Sequence, residues 1–232
     1  MRLMLPNVSA LFVLLAFVTS LYPIVHLSQT IQAISSSKAA RFRLVALFWF
    51  FLQSTIAYLG FYLKFPIKPL GLFVVGILPT ILFIVYTFLK QKELLTALSL
   101  EKLTWLHTIR IPVEIGLFYL FLAKAVPQEM TFEGHNFDIL AGLTAPLVAY
   151  FGIRKGLMSR NMLLAWNGLC LLLLANIVIT AALSVSSPFQ VFGHLQPNIA
   201  VLYAPAILLP ALIVPSVLFA HLVCIMQLWT KK

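Results

Sequence analysis

The chain reads as long apolar runs broken by short polar or basic interruptions, without the alternation that marks a half-buried strand. A membrane-spanning helix needs about 20 mostly apolar residues. Runs of that kind, bounded by Lys, Arg or Pro, fall at residues 7–26, 44–63, 69–89, 105–126, 137–153, 161–184 and 198–229. Between the third and fourth, Gln91 to Thr104 carries Lys92, Glu93, Glu101 and Lys102 among leucines at helical spacing, which predicts a short interfacial helix. The last run is longer than a perpendicular crossing requires. Its prolines at 205, 210 and 215 each remove one backbone hydrogen bond, so a kink or an irregular turn is expected there. Transmembrane β-barrels are excluded, because their strands alternate over about 10 residues.

Composition sharpens this picture. The 232 residues are 62% hydrophobic and 9% charged, with a mean hydropathy of +1.02, whereas soluble domains carry about 25% charged residues. The expected fold is all-α: one polytopic integral membrane domain over residues 1–232, a bundle of seven transmembrane helices. The net charge of +10 is no nucleic-acid footprint, because the basic residues are dispersed between apolar runs. They act as topology signals. With the N-terminus outside, Lys38, Arg41, Arg43, Lys90, Lys92, Lys102, Arg154, Lys155, Arg160, Lys231 and Lys232 fall on the inner side. Arg2, Lys64, Lys68 and Lys124 fall on the outer side. This asymmetry predicts a cytoplasmic C-terminus and a multi-pass protein of the plasma (inner) membrane. Arg2, the following apolar core and Val18-Thr19-Ser20 also fit the outline of a cleavable signal, although the run is nearly long enough to span. Cys170 and Cys224 lie in apolar runs, with spacing that suits neither a disulfide framework nor a metal motif.

Candidate chemistry concentrates between His107 and Asp138, which hold four of the six acidic residues: Glu114, Glu129, Glu133 and Asp138. His107, Arg110 and Glu114 stand at i, i+3 and i+7 on one helix face, with Pro112 between them. A charge at the bilayer centre costs roughly 2.5 to 3.5 kcal/mol even on insertion-based scales, so these groups should face protein or a cavity. Arg110 and Glu114, four residues apart, are placed to neutralise each other. Glu133, His135 and Asp138 offer divalent-cation chemistry without a recognised spacing, and the plainer expectation is a solvated outer loop. In that loop Gly134 turns the chain and Asn136 or Asp138 caps the fifth helix. The shortness of that helix draws Asp138 toward the membrane. His221 and Asn167 are further polar groups inside apolar runs. His107 and His221 together could ligate a b-type haem, packed or capping histidines being the default.

Several classes drop out. No lysine lies between Lys155 and Lys231 to form a retinal Schiff base, and there is no clustered histidine set, Gly-x-Ser-x-Gly or phosphate-binding glycine loop. Pro112-Val113-Glu114 followed by Gly116-Leu117-Phe118-Tyr119-Leu120-Phe121 resembles the Pro-x-Glu-Glu element of small membrane lycopene cyclases. The resemblance covers fewer than a dozen residues, with Ile115 in place of the second acid, and assigns no family. The leading functional expectation is a small transporter or ion- or proton-coupled carrier. Its polar site would lie among the fourth, fifth and seventh spans, with Glu114 as coupling carboxylate, Arg110 as its partner or anion contact and Asp138 at the outer mouth. The alternative is a membrane-embedded enzyme acting on an isoprenoid or acyl lipid, with Glu114 as general acid and Arg110 or His107 setting its protonation. A sensor or assembly subunit is the third. The sequence specifies no cofactor. Expected partners are membrane lipids and a small-molecule or ion substrate, and a bundle of this size leaves room for a homodimer.

Overall fold

The computed structural model describes Leu5 and residues 7–230; Arg2, Lys231 and Lys232 of the charge count lie outside the described residues. Among the described residues the fold is helix and connecting turn, with no strand. We label the principal helices α1 (Ala10–Gln32), α2 (Ser36–Tyr58), α3 (Lys68–Lys90), α4 (Lys92–Ala97), α5 (Leu100–Leu122), α6 (Ile139–Arg154), α7 (Arg160–Leu183) and α8 (Leu209–Thr230). Six of them, α1, α2, α3, α5, α7 and α8, are long and apolar enough to cross a membrane. The chain is a multi-pass helical membrane protein. α6 is shorter, a 9-residue α segment continued by a 7-residue π turn, which reaches at most about 24 Å at ~1.5 Å per residue.

Serines start four of these helices. Ser9, Ser35, Ser99 and Ser159 each accept a hydrogen bond from a backbone N–H in the first turn, at 3.2, 3.4, 3.3 and 3.3 Å, which satisfies one of the donors a helix start leaves open. The caps move two expected boundaries. α2 begins at Ser36, well before residue 44, and α5 begins at Leu100, so the second half of the expected interfacial segment joins the fourth span. Only Lys92–Ala97 remains as the short helix α4. It is tied to α8 by the Gln227 amide, which donates to the Leu95 and Leu98 carbonyls at 2.7 and 2.9 Å. The last span starts at Leu209 and not near Asn198, because residues 200–208 form a 3₁₀ turn and an irregular stretch that includes a cis Ala204–Pro205 bond.

The prolines explain further departures from regular helix. Pro79 and Pro215 leave the carbonyls four residues earlier, Val75 and Ala211, without their helical donors. Both carbonyls lie in π turns, Leu72–Ile77 and Leu209–Ile213. α2 supplies substitutes from one face: Gln53 donates to Val75 O at 3.0 Å and Trp49 donates to Ala211 O at 2.9 Å. Tyr62, just past α2, donates to the other end of the Gln53 amide at 2.5 Å. Because the Gln53 nitrogen donates to Val75 O, its oxygen is left to accept and the Tyr62 hydroxyl is the donor.

Packing is layered along the bundle. Leu27, Leu95, Leu103, Leu106, Ala220 and Cys224 close the end that carries α4. Leu117, Leu120, Leu174, Ile177, Ile213 and Val217 fill the other half, under the loops after α5 and α7. Outward apolar residues such as Leu44, Phe48, Phe51, Leu169 and Leu172 stay exposed, as a lipid-facing surface requires. The polar site lies between the two core layers.

Candidate functional site

α5 carries the first half of the site. Its helix tightens to a 3₁₀ turn at His107–Ile109 and resumes as α-helix at Arg110, an irregularity that often marks a functional position. His107, Arg110 and Glu114 are at most 2% exposed, as the one-face spacing predicts. α6 approaches α5 closely at Gly142, where a Cβ would stand 2.9 Å from the Ile111 side chain and 3.2 Å from Arg110 Cβ. Asp138, one turn before Gly142, is thereby brought onto Arg110.

That approach changes the expected pairing. Arg110 Nη1 meets Asp138 Oδ1 at 2.6 Å in a buried ion pair, and Glu114 forms no ion pair among the described residues. The expected Arg110–Glu114 pair is therefore replaced by Arg110–Asp138. Arg110 Nη1 also donates to the Cys170 carbonyl of α7 at 3.3 Å, and Nη2 lies 2.9 Å from His221 Nε2. A guanidinium only donates, so Nε2 of His221 is the acceptor and the ring proton sits on Nδ1. Nδ1 faces Asn167 Oδ1 at 2.8 Å, and the Asn167 amide donates onward to the Leu163 carbonyl at 2.9 Å. In the chain Asp138–Arg110–His221–Asn167, donation thus runs outward from Arg110, to Asp138 on one side and through His221 to Asn167 on the other, and it joins the start of α6 to α5, α8 and α7.

Glu114 is held separately. Asn136 donates to Glu114 Oε2 at 2.6 Å and to the Met130 carbonyl at 3.0 Å, while its own Oδ1 accepts from the Asp138 backbone N–H at 3.0 Å. Asn136 is therefore the residue that orders the start of α6, and it joins the Glu114 carboxylate to the Asp138 backbone. Asp138 occupies the N-cap position without capping, because its carboxylate is engaged by Arg110. Gly134 sets this loop: a Cβ there would come within 2.3 Å of the Gln128 carbonyl.

His107 completes the centre. Its ring stacks on His221 with centroids 3.9 Å apart and planes 19° from parallel, and the Trp166 ring meets its edge at 5.7 Å. Neither ring nitrogen of His107, nor Nε of Arg110, has a hydrogen-bond partner among the described residues. The stacking removes the haem option for this pair. An iron between two histidines needs the ring nitrogens pointing at each other, and here the faces are in contact while His221 Nε2 and Nδ1 are both engaged.

Of the sequence candidates, Glu114, Arg110, His107, Asp138, His221 and Asn167 converge. Glu133 and His135 do not: both are exposed in the loop after α5, and His135 takes part through its carbonyl, which accepts from Asn176 at 2.7 Å. No cluster of three or more His, Cys, Asp or Glu side chains suited to a metal occurs among the described residues. Two contributors were missed. Asn136 was read only as a cap, although an Asn side chain commonly accepts from the backbone N–H two residues on, as in an Asx turn. Trp166, one residue from Asn167, carries no sequence signal beyond its place in an apolar run.

Residues 67–229 match the family model described as "Domain of unknown function (DUF8737)". The chain belongs to that family. The matched range holds every member of the buried network and excludes α1 and α2. No curated protein and no solved structure matches the chain.

Proposed function

We propose that this DUF8737 member is a small proton-coupled membrane carrier in which Glu114 takes up and releases the coupling proton. The observation that carries this reading is the division of labour between the two buried carboxylates. Asp138 is committed to Arg110, while Glu114 has a single neutral hydrogen-bond partner, Asn136, and no ion pair among the described residues. Glu114 can therefore change its charge without breaking the Arg110 pair. Intramembrane carboxylates arranged in this way mark ion and proton paths. Helix irregularities occur in three of the helices that build the site: the 3₁₀ turn of α5 and the π turns of α6 and α8. Such turns are where a bundle rearranges at small cost.

The reading includes seven crossings in a single transmembrane domain, with the N-terminus outside and the C-terminus in the cytoplasm of an inner-membrane topology. α6 would be the short crossing. Contacts at the two ends of the bundle support this. At one end Arg154 pairs with Glu101 at 2.7 Å, beside the Arg160 contact to the Trp229 carbonyl at 3.1 Å. At the other, the loop after α7 meets the loop after α5, where Gln196 donates to Phe121 and Val126 carbonyls at 2.9 and 2.6 Å. α6 thus runs from one loop layer to the other, and the basic residues gather at the Arg154 end. The substrate belongs against the unpartnered His107 and Arg110 Nε. A small molecule or ion able to accept from Arg110 suits that position. The function is tested by the charge displaced when proteoliposomes on a solid-supported membrane receive a pH jump. Wild type should give a transient current, and Glu114→Gln should not.

A further inference from the structure

A second feature of α5 lies on its opposite face. Phe12 and Ala16 of α1, Val113 and Gly116 of α5, Ala206 and Leu209 wall a groove of about 400 Å³. It opens sideways between the spans, beside the exposed side chains of Leu11, Leu15 and Ile115, so its surroundings in a bilayer are hydrocarbon chains. We propose that this groove holds one hydrocarbon chain of a membrane lipid, with the polar end of that lipid at Ser9 and Tyr119.

Chemistry selects this occupant. Among the described residues no charged side chain lines the groove, and the Ser20 hydroxyl is turned back to the Ala16 carbonyl at 2.8 Å, so a polar solute would lose its hydration with little replacement. Size excludes a partner helix. At ~30 Å³ per water-sized group the volume takes roughly a dozen such groups, which suits part of one chain. A helix about 10 Å across would place little more than a single turn there. The groove follows α5 from Pro112 to Leu120, about 12 Å of rise, less than half of a ~30 Å hydrocarbon core. Two of its hydroxyls, those of Ser9 and Tyr119, lie at the end nearer the loops, and those of Thr19 and Ser20 lie further along α1. Tyr119 donates to Ser9 Oγ at 3.4 Å, and the Tyr119 ring stacks on Phe12 at 4.5 Å. Both Ser9 and Tyr119 keep capacity to bind an ester or hydroxyl group at headgroup level. Acyl and isoprenoid chains share this chemistry. The site stands whether or not Glu114 couples protons, although both features share α5 back to back.

The experiment uses the full-length protein in phosphatidylethanolamine and phosphatidylglycerol vesicles containing a phosphatidylcholine with a diazirine in its acyl chain. After illumination, adducts are mapped by peptide mass spectrometry. Groove peptides containing Phe12 to Ala16 and Val113 to Gly116 should be labelled well above the lipid-facing Leu169 to Leu172 of α7. A Cβ at Gly116 would stand in ordinary contact with Phe12, 3.8 Å away, so Gly116→Leu sends its remaining carbons into the groove. Labelling should then fall about tenfold, equivalent to about 1.4 kcal/mol of binding, with the α7 labelling unchanged. Ala16→Leu, from the opposite wall, repeats the test if the first variant does not fold. Native mass spectrometry of protein from cells should show an adduct that Gly116→Leu loses, and its mass distinguishes an acyl lipid from an isoprenoid. Equal labelling of groove and α7, labelling indifferent to both variants, or a groove crosslinked to the chain's own residues before Asn7 would overturn the proposal.

Discussion

At the scale of single residues, the site is a set of hydrogen-bond obligations that settle one another. Arg110 offers five N–H donors and no acceptor, and its contacts to Asp138, the Cys170 carbonyl and His221 fix the proton on His221 Nδ1. Removing one member of such a buried pair leaves an uncompensated charge, which costs about 3–5 kcal/mol in soluble proteins. Asp138→Ala should therefore lower the thermal unfolding temperature in detergent sharply. The double variant Arg110→Leu with Asp138→Leu should recover most of that loss, because it removes both charges. If the double variant melts below Asp138→Ala, the ion pair is not the dominant interaction. Much of this site was legible in the sequence. Intramembrane charge is costly enough that Arg110, Glu114 and Asp138 had to face protein, and helical spacing put His107, Arg110 and Glu114 on one face. The choice of partner was not legible. An i, i+4 pair is visible in one helix, whereas the Arg110–Asp138 pair depends on how closely α6 can approach, and that is set by Gly142, whose role appears only when two helices meet.

At the scale of elements, apolar length revealed the spans, but their ends follow caps and prolines. Ser35 and Ser99 start α2 and α5 earlier than the apolar runs do, since a capped helix can carry Lys38, Arg41 or Glu101 in its first turns. Residues 200–208 look as apolar as the span that follows, and hydropathy cannot separate an irregular buried stretch from a helix. The proline rule fared better: a freed carbonyl needs a new donor, and Gln53 and Trp49 of α2 provide two. Gln53→Leu should destabilise the protein by about 1–3 kcal/mol, the cost of leaving buried groups unsatisfied, since Val75 O and the Tyr62 hydroxyl both lose their partner. Chemical denaturation in mixed micelles measures this. A variant as stable as wild type would show that the π turn of α3 does not depend on α2.

At the scale of the whole molecule, the buried polar groups of the described residues gather between helices, in the network joining α5, α6, α7 and α8. The orientation we propose has a direct test. In a background lacking Cys170 and Cys224, cysteines at exposed Ser37 and Glu133 should react with an impermeant maleimide from opposite sides, Glu133→Cys from outside intact cells and Ser37→Cys only after lysis. Labelling of both from one side would rule out the topology. The central claim is that Glu114 alone among the buried acids changes its protonation during the working cycle. It is tested most directly by the transient charge displacement after a pH jump on reconstituted protein. The account predicts a transient in wild type that persists in the loop variant Glu129→Gln and vanishes in Glu114→Gln while that variant remains folded. A transient of wild-type size in Glu114→Gln would contradict it.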